Sequence, residues 1–322
     1  MRHMHLTIAA AGSLLLGCGG KGGGPGGGGD GGEPPPSGWT AGASGIFGAT
    51  SDGKDFVARP SPTSQDLFSL VCVGHRLGWA AGGGGTILAT TNGGDGWRAQ
   101  VAPTLATLRG IAFADAQHGI AAGDEGTLLW SDDGGSSWAA VASPTPANLN
   151  AAALSHDGSL AWSVGQGGVI LRSADGGRSF TLVRSGGGAL RAVKFAGGDA
   201  RGFAAGDGGA LLATGDGGKT WRALPPAPAD LHGLSVSEDG TRIVAVGAGG
   251  LIWRSADGGT SWARVASGTA RTLNAIGFFD EDPAIGWVVG EAGTLLYTGD
   301  GAARLTALQS PVSTDLYSVE DL

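Results

Sequence analysis

The chain has 322 residues and a formal net charge of −8, with 20 Lys and Arg against 28 Asp and Glu. Hydrophobic residues make up 41% of the chain, so it carries enough apolar surface for a core despite its 65 glycines. The acidic balance, together with the lack of any dense Lys/Arg cluster, argues against a nucleic-acid partner.

The N-terminus begins with the basic segment MRHMH and continues with the 12-residue apolar stretch LTIAAAGSLLLG. This stretch is short for a permanent membrane-spanning helix, which needs about 20 residues, and it is typical of a signal peptide over residues 1–17. It ends in LLGC, which resembles the lipobox of bacterial lipoproteins. The resemblance implies lipid on Cys18 and a place in the bacterial cell envelope. Gly19 favours the outer membrane or surface, facing periplasm or exterior. The alternative is an ordinary signal peptide with an incidental cysteine.

Residues 18–37 read CGGKGGGPGGGGDGGEPPPS, which is too rich in Gly and Pro to form a core. We predict a flexible tether that holds a folded domain, residues 38–322, clear of the membrane, so that lipid is the only membrane contact. Cys72 lies in the apolar run LFSLVCV, and we interpret it as a small buried core residue rather than a reactive thiol.

One phrase returns throughout the folded domain, as in SDDGGSSW at residues 131–138. Its third residue recurs at intervals of 40 to 43 residues, as Asp52, Asn92, Asp133, Asp175, Asp216, Asp257 and Asp300. The five central copies end in an aromatic residue, namely Trp97, Trp138, Phe180, Trp221 and Trp262. Such a regular period indicates a repeat fold.

Each repeat predicts four short antiparallel strands. In residues 107–138 the period-two segment LRGIAF is followed by GIAAG, GTLLWS and a fourth strand after the tryptophan. Four strands in one such period form a blade of a β-propeller. We interpret the recurring Asp or Asn as the acceptor for N–H groups of its turn, and the aromatic ring as filler between blades. The alternative is a calcium or sugar site at the turn.

Seven segments match the first strand, each starting with a leucine, at positions 67, 108, 149, 190, 231, 273 and 316. The last has no strands after it, whereas GWTAG and GIFGATSDGKDF near residue 38 lack a first strand. The sequence therefore predicts an all-β, seven-bladed β-propeller with four-stranded antiparallel blades. Its seventh blade combines N-terminal strands with the C-terminal strand, which leaves no open sheet edge.

The recurring turns resemble the Asp-box, or bacterial neuraminidase repeat, over residues 38–322. Repeats of the type DLxxVxF, GWAVG and GTILxTxDGGxxW in a seven-bladed ring are similar to those of the photosystem II stability and assembly factor family. The resemblance implies a non-catalytic scaffold that holds a partner protein or peptide. We expect a monomer without a cofactor. The histidines lack metal-ligand spacing, so we expect no metal site.

Sialidases and some endoglucanases also carry Asp-boxes, so a saccharide-binding surface module or a glycoside hydrolase is the alternative class. A sialidase needs an arginine triad, a tyrosine nucleophile and an acid/base carboxylate. The Arg-Ile-Pro signature is missing here, and Tyr297 and Tyr317 fall on regular strand positions. We therefore expect that the protein is not an enzyme.

Directly after each first-strand leucine lies a residue that the repeat does not fix, followed always by a small one. These variable residues are Phe68, Arg109, Asn150, Arg191, His232, Asn274 and Tyr317. Innermost strands crowd at the axis, so we predict that these side chains ring one mouth of the central channel and contact a partner. The alternative is water-bridged channel filling. We expect on the same face the turns that carry Asp124, Glu125, Asp207 and Glu291.

Overall fold

The computed structural model describes residues 38–279 and 282–321, which form strands, short 3₁₀ turns and loops. The predicted signal peptide, the lipidation site Cys18 and the tether lie outside the described residues. Among the residues described, no helix has the length and apolar character needed to cross a membrane.

The described residues contain 28 strands, numbered in chain order, which form seven four-stranded antiparallel sheets. The first three strands are β1 (Gly38–Gly42), β2 (Phe47–Thr50) and β3 (Val57–Arg59). Blade 1 follows with β4 (Leu67–Val73), β5 (Leu77–Gly82), β6 (Ile87–Thr90) and β7 (Arg98–Gln100). Blade 2 contains β8 (Leu108–Phe113), β9 (Gly119–Gly123), β10 (Leu128–Ser131) and β11 (Ala139–Ala140). Blade 3 contains β12 (Leu149–Leu154), β13 (Ala161–Gly165), β14 (Ile170–Ser173) and β15 (Thr181–Arg184).

The second half of the ring repeats this plan. Blade 4 contains β16 (Leu190–Phe195), β17 (Gly202–Gly206), β18 (Leu211–Thr214) and β19 (Arg222–Ala223). Blade 5 contains β20 (Leu231–Val236), β21 (Ile243–Gly247), β22 (Leu251–Ser255) and β23 (Ala263–Val265). Blade 6 contains β24 (Leu273–Phe278), β25 (Ile285–Gly290), β26 (Leu295–Gly299) and β27 (Thr306–Ala307). The last strand is β28 (Leu316–Asp321).

Blade 7 joins the two ends of the described chain. Its sheet has the order β28-β1-β2-β3, and Trp39 and Thr40 of β1 pair antiparallel with Glu320 and Val319 of β28. The innermost strands β4, β8, β12, β16, β20, β24 and β28 contact one another in this order, and β28 contacts β4 again. The predicted ring of seven blades, with a seventh blade shared between the N- and C-terminal strands, is confirmed.

A three-residue 3₁₀ turn joins the second and third strands of every blade. The seven turns are Ala43–Gly45, Gly83–Gly85, Asp124–Gly126, Gln166–Gly168, Asp207–Gly209, Ala248–Gly250 and Glu291–Gly293. The first N–H of each turn donates to the carbonyl of the residue before the first-strand leucine, as from Asp124 to Thr107 at 2.9 Å. Each turn is thereby fixed to the start of the first strand in its own blade.

The hydrophobic core lies between the blades, where aromatic rings pack against one another. Trp79 of β5 stacks on Phe113 of β8 with ring centroids 3.7 Å apart, and Trp138 meets Phe113 edge-on. The Trp79 Nε1–H donates to the carbonyl of Gly134, in a turn of the next blade, at 2.9 Å. The same arrangement recurs between blades 3 and 4 with Trp162, Phe195 and Trp221. Each stack therefore joins two neighbouring blades through large buried apolar surfaces.

The interface between blades 7 and 1 uses different residues in the same space. Cys72 takes the position that Phe113 holds in blade 2, and it is buried in the cluster that contains Trp39 and Trp97. Phe47 of β2 supplies the missing ring and stacks on Trp97 with centroids 4.5 Å apart.

We call the segment between the third and fourth strands of a blade the aspartate turn. In residues 131–138, Ser131 Oγ–H donates to Asp133 Oδ1 at 2.9 Å and accepts the Gly135 N–H at 2.8 Å. Asp133 also accepts the hydroxyl and N–H of Ser137 at 2.6 and 2.9 Å. These bonds, the Ser137 hydroxyl first among them, lower the pKa of Asp133 from its ordinary value.

Candidate functional site

Each first strand starts with a β-bulge that directs one side chain towards the propeller axis. In blade 2, Leu108 pairs with Gly123 and Gly110 pairs with Ala122, so Arg109 has no residue opposite it. The same register shift follows the leucine of every first strand. A bulge releases a residue from the ladder and re-aims its side chain. The bulged residues, which we call the ring, line one cavity on the axis and are Phe68, Arg109, Asn150, Arg191, His232, Asn274 and Tyr317.

The residue after each bulge is small because neighbouring first strands nearly touch. A Cβ on Gly110 would lie 2.6 Å from the backbone nitrogen of Ala152 in blade 3. Where the residue is serine, its hydroxyl joins the strands instead, since Ser69 Oγ accepts the N–H of Ile111 at 3.2 Å. The close contact between neighbouring first strands thus explains why a small residue follows each bulge.

One side of the ring is aromatic. The rings of Phe68 and Tyr317 lie with centroids 5.2 Å apart and planes tilted by 34°. The guanidinium carbon of Arg109 lies 5.5 Å from the Phe68 centroid. Phe68 and Tyr317, which we call the aromatic pair, are only partly buried and present apolar surface at the mouth.

The amides of the ring are held in place by the neighbouring blade. Asn150 Nδ2 donates to the Leu190 carbonyl at 2.7 Å, and Asn274 Nδ2 donates to the Leu316 carbonyl at 2.9 Å. Each amide therefore bonds to the first-strand leucine of the next blade. Their side chains are fixed in direction before any partner binds, which reduces the entropy cost of binding.

Both ring arginines pair with acidic residues of the 3₁₀ turns. Arg109 donates through Nε and Nη2 to Asp124 at 2.5 and 3.0 Å, and Arg191 donates through Nε to Asp207 at 2.5 Å. The arginine side chains remain 35% and 42% exposed. The 3₁₀ turns therefore open on the same face as the ring.

His232 is the ring's titratable group near neutral pH. Burial lowers the pKa of His232 from 6.5, and the positive charge of Arg191 acts in the same direction. A hydrogen bond with Asn274 and the charge of Asp230 oppose this shift in part. His232 is therefore an uncharged imidazole at pH 7, able both to donate and to accept a hydrogen bond.

The cavity that the ring lines has a volume of ≈ 340 Å³, and its wall beyond the ring includes small and apolar residues such as Val71, Ala112 and Ala153. Lys194 of β16 and Glu320 of β28 lie three blades apart on the ring, yet Lys194 Nζ is 3.9 Å from Glu320 Oε1. This pair spans the channel. The Glu320 side chain is 26% exposed and lines this cavity. Burial raises the pKa of its carboxyl, while the charge of Lys194 lowers it in part.

Sequence reasoning missed three features of this site. The bulge was one, because LRGIAF looks like a regular strand. The channel-spanning pair was another, although Lys194 and Glu320 are charged where other first strands carry Val, Ala, Ser or Gly. The third is a set of acids that precede first-strand leucines, Asp66, Asp230 and Asp315. Within residues 38–279 and 282–321, no three His, Cys, Asp or Glu side chains gather as ligands for a metal ion.

Seven four-stranded blades around a channel, with one open mouth lined by bulged side chains, define the class of this protein as a seven-bladed β-propeller. Residues 95–187 match the family model described as photosynthesis system II assembly factor YCF48. Over this stretch the seven-bladed propeller is similar to YCF48. Among curated protein sequences, none gives a significant match.

Solved structures share this fold at low sequence identity. The structure of YCF48 bound to D1 peptide has a TM-score of 0.63 and 21% identity, covering 76% of this chain and 83% of that one. YCF48 from Cyanidioschyzon merolae has a TM-score of 0.66 and 18% identity, and the match covers 80% of this chain and 90% of that one. A chain of a nidogen/laminin complex has a TM-score of 0.58 and 11% identity, and the match covers 76% of this chain and 97% of that one. Likeness at these identities establishes the fold, and function is argued from the site.

Proposed function

We propose that this protein is a non-catalytic scaffold that binds a peptide segment of a partner protein at the channel mouth. One observation carries the proposal: in every blade the structure frees a single variable side chain, through a bulge, and all of them converge on one open cavity. Variable side chains gathered on a shared concave surface are what a binding site on a repeat scaffold requires.

The similarity to a solved structure supports a peptide as the ligand. A protein of the same fold, YCF48, is known in complex with D1 peptide. The ring combines aromatic surface, guanidinium groups and oriented amides, which are the side chains that dominate protein interfaces.

The chemistry of the acidic residues favours binding over catalysis. The aspartate turns use their carboxylates as acceptors for several bonds each, as Asp133 does, and these bonds keep the groups ionised. Asp124 and Asp207 are paired with arginines. A glycosidase needs a carboxyl with a raised pKa that is free to donate its proton. Burial raises the pKa of two carboxyls that line the cavity, but Glu320 is paired with Lys194 and Asp199 accepts the His156 N–H at 3.1 Å.

We also propose that the chain is anchored to the cell envelope by lipid on Cys18. The motif LLGC at residues 15–18 and the Gly-rich segment after it support this proposal. Metabolic labelling with an alkyne fatty acid should label the full chain and its Cys72→Ser variant, but not Cys18→Ser. Equal labelling of Cys18→Ser would contradict the anchor.

The binding proposal is tested with a photo-crosslinking amino acid at position 150 in the ring or at position 222 on the outermost strand β19. We expect a discrete crosslinked polypeptide from envelope extracts at position 150 alone. Phe68→Ala with Tyr317→Ala should reduce it about tenfold or more, since buried aromatic anchors dominate such interfaces. Val57→Ala with Leu182→Ala, on outermost strands, is the matched control and should leave the crosslink unchanged.

Two outcomes would contradict the proposal. The first is a crosslink that survives loss of the aromatic pair in a variant with unchanged melting temperature. The second is specific binding or cleavage on a glycan array, which would favour the saccharide-binding or hydrolase alternative.

A further inference from the structure

The mouth carries more negative charge than its arginines neutralise. The 3₁₀ turns and the segments that lead into the first strands hold seven carboxylates, Asp66, Asp124, Glu125, Asp207, Asp230, Glu291 and Asp315. These segments and the ring hold Arg109, Arg191 and Arg271. A fourth arginine, Arg184 at the end of β15, donates to the Gly168 carbonyl of a 3₁₀ turn at 2.9 Å. Because Arg109 and Arg191 are already paired with turn aspartates, the remaining carboxylates set the sign of the field at the mouth.

Three of these acids also connect neighbouring blades. Each precedes a first-strand leucine and accepts the N–H of the middle residue in the preceding blade's 3₁₀ turn. The bonds are Ser44 to Asp66 at 2.8 Å, Gly208 to Asp230 at 2.7 Å, and Ala292 to Asp315 at 2.8 Å. A structural role therefore accounts for one oxygen of each carboxylate.

The same connection in blade 3 shows that it needs no charge. There Asn148 accepts the N–H of Glu125 through its amide oxygen at 2.9 Å. The geometry and the bond length match those of the three aspartates. The fold therefore requires an acceptor oxygen at this position, and the negative charges of Asp66, Asp230 and Asp315 are surplus to it.

Two of the surplus charges lie beside the aromatic pair. Asp66 and Asp315 are the charges that act on the Tyr317 hydroxyl, and with burial as the larger cause they raise its pKa. Phe68, two residues after Asp66, lies beside Tyr317 with ring planes tilted by 34°. The nearby guanidinium of Arg109 is paired with Asp124. An aromatic face attracts a cation, and neighbouring carboxylates strengthen that attraction.

We propose that the partner segment is basic: a lysine or arginine side chain lies against Phe68 and Tyr317, with its charge facing Asp66 and Asp315. This inference rests on the proposed function and names the chemistry of the ligand. The occupant is a peptide of another protein, and complementarity of charge selects it. The aliphatic part of a long basic side chain covers the aromatic pair, while its charged end reaches the carboxylates.

The test starts from a random peptide display library selected on the wild-type protein and depleted on the Phe68→Ala, Tyr317→Ala variant. We expect the surviving peptides to be enriched in Lys and Arg. Their affinity, measured by fluorescence anisotropy, should fall about tenfold in Asp66→Asn with Asp315→Asn, and the loss should shrink as salt rises. Asparagine keeps the acceptor oxygen, as Asn148 does, so the melting temperature should stay unchanged.

The matched control removes the same number of negative charges at a different place on the protein. Asp55→Asn with Asp95→Asn alters two exposed aspartates of the aspartate turns, away from the mouth, and should leave affinity unchanged. Two results would overturn the basic-ligand inference and leave the proposed function standing. In the first, peptides that depend on the aromatic pair are neutral or acidic. In the second, they bind the Asp66→Asn, Asp315→Asn variant with unchanged affinity. If no selected peptide depends on the aromatic pair, the proposed function fails as well.

Discussion

Gly123, the last residue of β9, has extended backbone, so its requirement for glycine comes from a neighbouring atom rather than from its dihedral angles. A Cβ at this position would lie 2.1 Å from the Thr107 carbonyl oxygen, which accepts the N–H of Asp124. The six equivalent glycines meet the same kind of backbone carbonyl at 1.9 to 2.3 Å. A backbone oxygen held in a hydrogen bond cannot move aside as a flexible side chain can.

We therefore expect Gly123→Ala to destabilise the fold by about 1–3 kcal/mol, the usual cost of forcing extra atoms into a packed region. Gly215→Ala is the control, because nothing lies within 4 Å of its added Cβ. Its free energy of unfolding should change by less than about 1 kcal/mol. Urea unfolding of both variants decides the matter, and equal stability of the two would show that the carbonyl contact is not the constraint.

The aspartate turn is the element that repeats most faithfully, and its chemistry depends on an acceptor oxygen. In blade 1, Asn92 replaces the aspartate and still accepts the Thr90 hydroxyl at 2.8 Å and the Gly96 N–H at 3.1 Å. In blade 5, the Ser261 hydroxyl and then its N–H lower the pKa of Asp257 from 3.8 to about 2. A carboxylate and an amide can thus serve the same turn, but only the carboxylate loses acceptor capacity in acid.

The pH dependence of this turn follows from the lowered pKa of Asp257. A group whose pKa is lower in the folded state stabilises it above about pH 4 and loses this contribution as pH falls to about 2. Asp257→Asn keeps the acceptor and does not titrate. The melting temperature of the wild type relative to Asp257→Asn should therefore fall across this range in calorimetry. A constant difference between the two proteins would contradict the assigned bonds.

The elements differ in how far their sequence predicts them. The aspartate turns and the glycines that end the second strands can be recognised in the sequence, because a tight turn or a close backbone contact admits few residue types. The bulge after each first-strand leucine was not predicted, because LRGIAF was interpreted as a regular period-two strand. The bulge shifts that period, since Leu108, Ile111 and Phe113 share one core cluster at spacings of three and then two residues. Its trace is indirect: the position varies among Phe, Arg, Asn, His and Tyr, which is the pattern that predicted the ring.

At the scale of the whole molecule, closure depends on a strand of six residues. Leu316 and Val319 of β28 are 1% and 2% exposed and belong to the cluster that contains Trp287 of blade 6. Counting the repeats predicted this closure. The C-terminal first strand has no further strands after it, and the three N-terminal strands lack a first strand, so together they complete one blade. The pairing of Lys194 with Glu320 could not be predicted in this way, since it depends on where the two sides of the ring face each other.

We expect a chain ending at Thr314, which lacks β28, to lose the cooperative melting of the intact ring. The two buried side chains alone contribute about 3–6 kcal/mol, and the deletion also leaves the edge of β1 unpaired. Circular dichroism melting is the measurement, with a chain lacking residues 1–36 as the control that should melt like the full protein. Identical melting of the chain ending at Thr314 would mean that β28 does not seal the ring.

The bridge between Lys194 and Glu320 also decides how a ligand can move. With 3.9 Å between the charged atoms of opposite walls, the intact bridge lies across the path of an extended polypeptide that enters at the ring. A bound segment must arrive and depart through the same opening. Recognition therefore does not require a free terminus: a loop from the middle of a folded partner can dip into the mouth and withdraw without threading.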